Sequence, residues 1–153
     1  MSPGTIQPHH GSYLTPSVED ATVGDAMHPG ILSCDRDATA TEVARMMATH
    51  HVHCIAVMGL SHDPAPEPIV WGIVSDLDLI EASVGGGGSE RTAAALAQQP
   101  IISVDPSTPI REAARLMLTH SAPHLVVVDP DSQRPIGILS TLDIAGILAW
   151  GEG

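Results

Sequence analysis

An internal repeat constrains the fold of this chain more than any other feature of its sequence. Residues 31–50 align without a gap on residues 101–120, and nine of the twenty aligned positions are identical. The match resumes where residues 72–78 align on 137–143, with five of seven positions identical. The offset falls from 70 to 65 between these blocks, so the loop at 59–68 is five residues longer in the first copy. Two copies of one unit predict pseudo-twofold packing, because about 60 residues bury little apolar surface alone.

Each copy has the pattern of a β-α-β-β-α unit. After a short apolar strand, a helix begins near Ala40 or Ile110, with apolar residues at helical spacing and Thr39 and Thr108 as expected N-caps. Two strands rich in Val and Ile follow, and then a short helix from Asp76 or Thr141. Residues 90–99 predict an Ala-rich helix between the copies. The predicted strands are 31–34, 53–58 and 69–74 in the first copy and 101–104, 124–128 and 135–139 in the second.

The fold class that follows is mixed α/β, or α+β, with two β-α-β-β-α repeats packed with pseudo-twofold symmetry through their sheets. A repeat that packs against itself forms two equivalent clefts at the junction. Glycine, proline and serine near the N-terminus predict an extended tail, and four consecutive glycines predict a hinge. The expected parts are a tail at 1–21, the first copy at 22–84, a glycine linker at 85–88, the second copy at 89–149 and a C-terminal tail at 150–153.

The acidic composition narrows the classes of partner. Asp and Glu number 18 against 6 Arg and no Lys, which gives a formal net charge of −12. We expect no nucleic-acid partner, because such binding needs clustered Lys and Arg to replace counterions. The same charge opposes binding to an anionic membrane. The lack of Lys excludes Schiff-base and P-loop chemistry, since both need an amine.

Other sequence signals predict a cytoplasmic protein. No apolar run reaches the ~18 residues of a membrane span, and the N-terminus lacks the basic and apolar regions of a signal peptide. Cys34 and Cys54 fit neither a CxxC motif nor a disulfide scaffold. We expect both to be buried small hydrophobic residues in a reducing compartment.

The motif with most chemical content is a heptad that ends the third strand of each copy, GIVSDLD at 72–78 and GILSTLD at 137–143. The glycine is expected to end the strand and admit a ligand to the backbone. The aspartate can accept two hydrogen bonds from a vicinal diol such as that of ribose, and the helix N-terminus beside it offers N–H groups to an anion. Alternatively, serine and aspartate only cap their helices. These residues are Ser75 and Asp78 in the first copy and Ser140 and Asp143 in the second.

The two heptads and the recurring TxxEvArxM helix pattern resemble the CBS domain in its tandem arrangement, the Bateman module. The segment VGDAMHP at 23–29 is similar to the segment that leads into such a domain, and the resemblance covers about residues 22–149. It implies that the heptad Ser and Asp hold the ribose of AMP, ADP, ATP or S-adenosylmethionine. It also implies apolar residues that flank the adenine edge and cover its face. Those residues are Ile31, Leu32, Ile101 and Ile102 at the edge, and Val52 and Ala122 over the face.

The resemblance also implies a phosphate position just before the second strand, where family members often carry basic residues. His53 aligns on Pro123 there, and Cys54 aligns on His124. His53 and His124 are therefore phosphate candidates, and the alternative is that both are half-solvated histidines at a strand edge. Because Arg and Lys are missing from these positions, AMP or an adenosyl ligand is favoured over ATP. The second-copy site has the added hydroxyl of Thr141.

Other patterns carry less chemistry. The run His50-His51-Val-His53-Cys54 straddles a helix end and a strand start and fits no helical pair of metal ligands, so we expect no metal and no obligatory cofactor. No GxSxG motif accompanies the Ser, His and Asp residues, and an enzyme is not expected.

The sequence thus favours a stand-alone regulatory, ligand-sensing CBS pair that binds an adenosyl ligand and transmits a change of shape to a partner protein. The alternative is a structural or dimerisation module with ligand-free clefts. A homodimer with a helical interface is expected, because the helices carry more apolar residues than one small core needs. The residues assigned to that interface are Met46, Met47, Leu79, Ile80, Leu116, Met117, Ile144 and Ile147.

Overall fold

The computed structural model describes residues 17–62, 64–86 and 90–151. These residues fall into two compact units that differ from the two sequence copies. The first-copy unit is the continuous stretch Ile31–Ile101. The second-copy unit combines residues 17–30 with residues 102–151.

The first-copy unit contains a three-stranded sheet with the strand order β2-β3-β4. Strand β2 is parallel to β3, and β3 is antiparallel to β4. Helix α2 connects β2 to β3, helix α3 follows β4 directly, and α4 comes last. The elements are β2 (Ser33–Cys34), α2 (Ala40–His50), β3 (Cys54–Ser61), β4 (Glu67–Ser75), α3 (Asp76–Val84) and α4 (Ala93–Leu96).

The second-copy unit repeats this arrangement and has one more strand in its sheet, with the order β1-β7-β6-β5. Strand β5 is parallel to β6, β6 is antiparallel to β7, and β1 pairs antiparallel with β7. Helix α5 connects β5 to β6, and α6 follows β7. The elements are α1 (Val23–Ala26), β1 (His28–Pro29), β5 (Ser103–Val104), α5 (Ile110–His120), β6 (His124–Val128), β7 (Pro135–Ser140) and α6 (Thr141–Trp150).

Each unit has its own aliphatic core between one face of the sheet and its helices. Alternate residues of β3 and of the equivalent strand β6 point into these cores, because side chains alternate between the two faces of a strand. They are Ile55 and Val57 in β3, and Leu125 and Val127 in β6. The cores also contain Met47, Met117 and Ile147, which are 7%, 5% and 5% exposed. These three residues, which the sequence assigned to a dimer interface, belong instead to the cores of their own units.

A short segment exchanged between the copies completes each unit. We call residues 22–29 and 92–99 the leading segments, since each precedes one copy in the sequence. Residues 22–29 pack on the second copy, where Val23 N–H donates to Thr108 O at 2.8 Å. Residues 92–99 pack on the first copy, where Ala93 N–H donates to Ala38 O at 2.7 Å. The compact units therefore combine each copy with the leading segment of the other.

The two long helices begin differently. Thr39 is the N-cap of α2, and it forms a capping box with Glu42. The N-cap of α5 is Pro109, which supplies no side-chain hydrogen bond, so the expected N-cap at Thr108 is wrong. Thr108 instead contributes its carbonyl oxygen, which accepts the hydrogen bond from Val23 N–H.

Three local predictions are corrected by the structure. The expected loop at 59–68 is partly strand, because β3 and β4 pair as far as Ser61 and Glu67. The expected helix at 90–99 is helical only over Ala93–Leu96, since Gln98 turns into an antiparallel bridge with Ile73. Residues 17–21 of the expected tail form a turn, in which Ala21 N–H donates to Ser17 O at 2.8 Å. The rest of that tail, Gly87 and Gly88 of the linker, and residues 152–153 lie outside the described residues.

Within the described part of the chain, no helix has the length and apolar character needed to cross a membrane.

Candidate functional site

The two heptads form the same hydrogen-bonded box at the start of α3 and α6. The Asp78 amide donates to Ser75 Oγ at 3.2 Å, and Asp78 Oδ2 accepts from the Ser75 amide at 2.8 Å and from Ser75 Oγ at 3.0 Å. Asp143 and Ser140 repeat these contacts at 3.3, 2.8 and 3.0 Å. Each serine and aspartate therefore form a reciprocal capping box, which satisfies two backbone donors at the helix start. The capping role considered from the sequence is thus present in both copies.

The second oxygen of each heptad carboxylate contacts a leading segment. Gln98 Nε2 donates to Asp78 Oδ1 at 2.7 Å, and His28 Nδ1 lies 2.7 Å from Asp143 Oδ1. His28 and Gln98 align at the same offset of 70 that relates the copies. Asp78 is 6% exposed and the Asp143 side chain is 5% exposed. Both carboxylates are therefore buried, and His28 lies against that of Asp143.

The heptad glycines admit the leading segments to the sheet. A Cβ atom on Gly137 would lie 2.6 Å from His28 O, and one on Gly72 would lie 2.8 Å from the Ala97 Cβ. Neither glycine ends its strand, since β4 and β7 continue to Ser75 and Ser140. The sequence predicted that a ligand would approach these glycines closely. In the structure His28 O approaches Gly137 and the Ala97 Cβ approaches Gly72.

Strand pairing brings the other predicted first-copy residues toward the same end of its sheet. Cys54 is opposite Ser75 at the start of β3, so Val52 and His53 lie just before this pair. Leu32 O accepts from Ala56 N–H at 3.0 Å, which places Leu32 beside the start of β3. Ile31 is half-buried and is the first residue of this unit.

The second-copy unit brings together the equivalent residues. His124 is opposite Ser140 at the start of β6, with Ala122 and Pro123 just before it. Ile102 O accepts from Val126 N–H at 2.9 Å. Ile101 is half-buried and is the last residue of the first-copy unit, so it is grouped apart from its sequence partners.

The polar groups around the two boxes differ. In the first-copy unit, His53 Nδ1 lies 3.2 Å from Asp76 Oδ2, and these side chains are 69% and 58% exposed. Asp76 Oδ1 also accepts from the Leu77 amide at 2.9 Å. In the second-copy unit, Thr141 occupies the position of Asp76 and Pro123 that of His53. A carboxylate thus stands beside the first-copy phosphate candidate, and a hydroxyl stands at the same place in the second copy.

No group of three or more His, Cys, Asp or Glu residues that could hold a metal ion occurs among residues 17–62, 64–86 and 90–151. Arg36 lies over the ring of Trp71, 4.6 Å from its centroid, and Arg111 pairs with Glu19 at 2.8 Å. Cys34 and Cys54 are not joined by a disulfide bond and are half-buried, which is less buried than expected.

Sequence reasoning missed His28 and Gln98 as partners of the heptad carboxylates. Both precede a proline-containing turn into the first strand of a copy, and both fit the repeat offset. That offset relates the two residues to each other. It does not reveal that each contacts the other copy, because the exchange of leading segments leaves no mark in the alignment.

The chain is similar to known proteins along most of its length. Residues 23–85 and 93–149 match the CBS domain. A curated relative, an uncharacterized protein of Methanopyrus kandleri, is 26% identical over 129 residues, which cover 83% of this chain and 62% of the relative. The chain therefore spans less than two thirds of that relative's length.

Solved structures show the same fold. The CBS domain pair of the protein MJ0100, in complex with 5′-methylthioadenosine and S-adenosyl-L-methionine, has a TM-score of 0.70 at 18% identity, over 84% of this chain and 96% of that one. CBSX2 in complex with AMP has a TM-score of 0.62 at 24% identity, over 82% and 94% of the two chains. These likenesses confirm the α+β fold with two sheets.

Proposed function

This chain belongs to the CBS-domain family, and we propose that it is a regulatory module that binds an adenosyl ligand at its two heptads. The observation that carries the proposal is the pair of repeat-equivalent carboxylates, Asp78 and Asp143, each held by its helix start at one end of a sheet. Similar CBS structures hold AMP, S-adenosyl-L-methionine or 5′-methylthioadenosine. A fixed carboxylate is suited to two adjacent hydroxyl groups, because each of its oxygens has two lone pairs.

In this proposal a ribose takes the place of the leading-segment side chain. Gln98 and His28 each contact only the outer carboxylate oxygen, Oδ1, whereas Oδ2 stays in the capping box. His28 has a side chain that is 75% exposed, so its ring can rotate into solvent. The box then stays formed while Oδ1 accepts from the ribose hydroxyls.

The remaining predicted residues complete each site in the proposal. Adenine lies against Ile31, Leu32 and Val52 in the first-copy unit, and against Ile101, Ile102 and Ala122 in the second. His53, His124 and the backbone at Pro123 face the ligand's 5′ substituent. AMP and adenosyl ligands are favoured over ATP, because the chain offers no Lys and its Arg36 and Arg111 contact other groups.

We propose a homodimer as the means by which binding reaches a partner. Exposed apolar residues lie on α3 and α6, which are equivalent in the repeat, and a twofold pair of such surfaces can be self-complementary. The large exposed apolar residues of these two helices are Leu77, Ile80 and Val84 on α3, and Leu142, Leu148 and Trp150 on α6. Of these six residues, Ile80 alone belongs to the interface set expected from the sequence. Light scattering at micromolar concentration tests this, and a monomeric mass contradicts it.

Ligand binding is tested by thermal unfolding with AMP and with S-adenosylmethionine. A ligand at 100 times its Kd stabilises a folded protein that alone binds it by about 2.7 kcal/mol, so a clear rise in Tm is expected. The double variant Asp78→Asn, Asp143→Asn should lose most of this rise, because a neutral amide binds ribose hydroxyls more weakly. Asp131→Asn, an exposed change away from the heptads, is the matched control.

The competing function is a structural or dimerisation module without a ligand. It becomes the leading one if no adenosyl ligand shifts the Tm of the wild-type protein while the dimer persists. A cytoplasmic location and a regulated partner protein stay predictions in either case.

A further inference from the structure

We propose that the two heptad sites divide adenosyl ligands by charge, with the second-copy site taking anionic AMP and the first-copy site taking a neutral or cationic adenosyl compound. The inference rests on the proposed function and adds the ligand class of each site. The two capping boxes match, whereas the exposed groups beside them differ.

The first-copy box has a second carboxylate beside it. Asp76 is the first residue of α3, and its side chain is 58% exposed. Its Oδ1 accepts from the Leu77 amide, so the carboxylate itself occupies the N–H group that a phosphate would use. Its Oδ2 lies 3.2 Å from His53, the candidate phosphate contact on this side. A phosphate at this position meets a negative charge and competes with it for both donors.

The second-copy box lacks that carboxylate. Thr141 begins α6 and offers a hydroxyl, and Asp143 is the only acidic residue of that helix. His124 lies opposite Ser140, and His28 contacts Asp143. Thr141 has no carboxylate to accept from the Leu142 amide, which corresponds to the Leu77 amide that Asp76 occupies. A phosphate here meets a hydroxyl in place of the Asp76 carboxylate.

The formal charges of the groups at each box show which of the two sites is the more negative. The first-copy site has two carboxylates, one imidazole and one amide, namely Asp76, Asp78, His53 and Gln98. The second-copy site has one carboxylate and two imidazoles, namely Asp143, His28 and His124. With neutral histidines the formal charges are −2 and −1, and with all three imidazoles protonated they are −1 and +1, so the first-copy site is the more negative in both cases. A dianionic phosphate therefore prefers the second-copy site, whereas the sulfonium of S-adenosylmethionine prefers the first.

The experiment measures AMP and S-adenosylmethionine affinities by calorimetry in two single-site backgrounds. Asp78→Asn leaves the second-copy site intact, and Asp143→Asn leaves the first-copy site intact. We expect the ratio of AMP affinity to S-adenosylmethionine affinity to be at least tenfold higher in the Asp78→Asn background. Equal ratios in the two backgrounds would overturn the inference and leave the proposed function standing. No binding of either ligand to the wild-type protein would overturn both.

Exchange of the residue that begins each helix, Asp76 or Thr141, sharpens the test. In the Asp78→Asn background, Thr141→Asp should lower AMP affinity about fivefold or more and raise that of S-adenosylmethionine. In the Asp143→Asn background, Asp76→Thr should change both affinities in the opposite directions. Thr141→Val removes the hydroxyl without adding a charge, so it measures the contribution of the hydroxyl alone. Asp37→Thr removes a carboxylate, as Asp76→Thr does, at the far end of the first-copy sheet. An effect of Asp37→Thr as large as that of Asp76→Thr would contradict a local origin.

Discussion

The starts of α3 and α6 share their buried chemistry and differ in their exposed chemistry. Ser75 and Asp78 form the same box as Ser140 and Asp143, with matching distances within 0.1 Å. The groups around the boxes have diverged, with Asp76 replaced by Thr141 and Gln98 by His28. The buried groups are the ones whose loss costs folding free energy. The exposed groups can differ between the copies without that cost.

Alanine at the heptad glycines gives the largest expected effect on stability. Gly137→Ala places a Cβ 2.6 Å from the backbone oxygen of His28, which cannot move without lifting β1 from β7. We expect a loss of about 3 kcal/mol, at the upper end for overpacked sites. Gly72→Ala meets the Ala97 Cβ at 2.8 Å and should cost less, because α4 is a short helix. Chemical unfolding measures both.

Gly146→Ala is the matched control for these two changes. Gly146 lies inside α6 with nothing within 4 Å of an added Cβ. This substitution should raise stability by about 0.5–1 kcal/mol, since alanine is the better helix former. If Gly137→Ala were as stable as the wild type, the close packing of residues 22–29 on β7 would be refuted.

Alanine at the heptad aspartates tests whether the two boxes are equivalent. Asp78→Ala and Asp143→Ala each remove a buried acceptor from the serine amide and hydroxyl, and each leaves a leading-segment side chain without its partner. We expect each to cost about 2 kcal/mol, the middle of the range for an unsatisfied buried group. Urea unfolding compares them. A difference above about 1 kcal/mol would break the buried equivalence.

The helix starts of α2 and α5 provide a smaller contrast. Thr39→Ala removes the side-chain cap of α2 and should cost about 1 kcal/mol. Thr108→Ala should be nearly neutral, because Thr108 contributes its carbonyl and α5 begins after Pro109. Thermal unfolding of the pair decides between this assignment and one in which Thr108 caps the helix.

The smallest effect concerns Cys34, one of the two cysteines of the first copy. Burial, with a lesser contribution from Asp35 and then Glu42, raises the pKa of the Cys34 thiol. The thiol therefore stays protonated at neutral pH, and iodoacetamide should alkylate it more slowly in the folded protein than in urea. The rate should rise as the pH increases toward that pKa. The variant Cys54→Ser isolates Cys34, and equal rates in both states would contradict the burial argument.

The repeat predicted most of the fold because it fixed two copies of every element at once. The starts of α2, α3, α5 and α6 at Ala40, Asp76, Ile110 and Thr141 are confirmed. The extent of β3 and β4 was underestimated, because residues 59–61 and 67–68 carry turn formers that the strand pairing overrides. The helix at 90–99 was overestimated, since its alanines favour helix and only tertiary pairing with Ile73 stops it at Leu96.

The site was predictable only in part. Ser75, Asp78, Ser140 and Asp143 follow from the heptads alone, and the structure places each pair in one box. Their contacts with Gln98 and His28 depend on which leading segment packs on which copy. That is a long-range choice, which periodicity and turn chemistry do not determine. Whether these residues bind a ligand stays a prediction.

The exchanged leading segments have a consequence for the order of folding. The first-copy unit is one continuous stretch, so it is complete as soon as residue 101 has left the ribosome. The second-copy unit needs residues 22–29 to wait until β7 and α6 have been made, with the whole first-copy unit as the intervening loop. Such a closure is slower than one between neighbouring segments, because its chain entropy is lost before its contacts form. The order of synthesis thus separates two units that the repeat makes nearly alike.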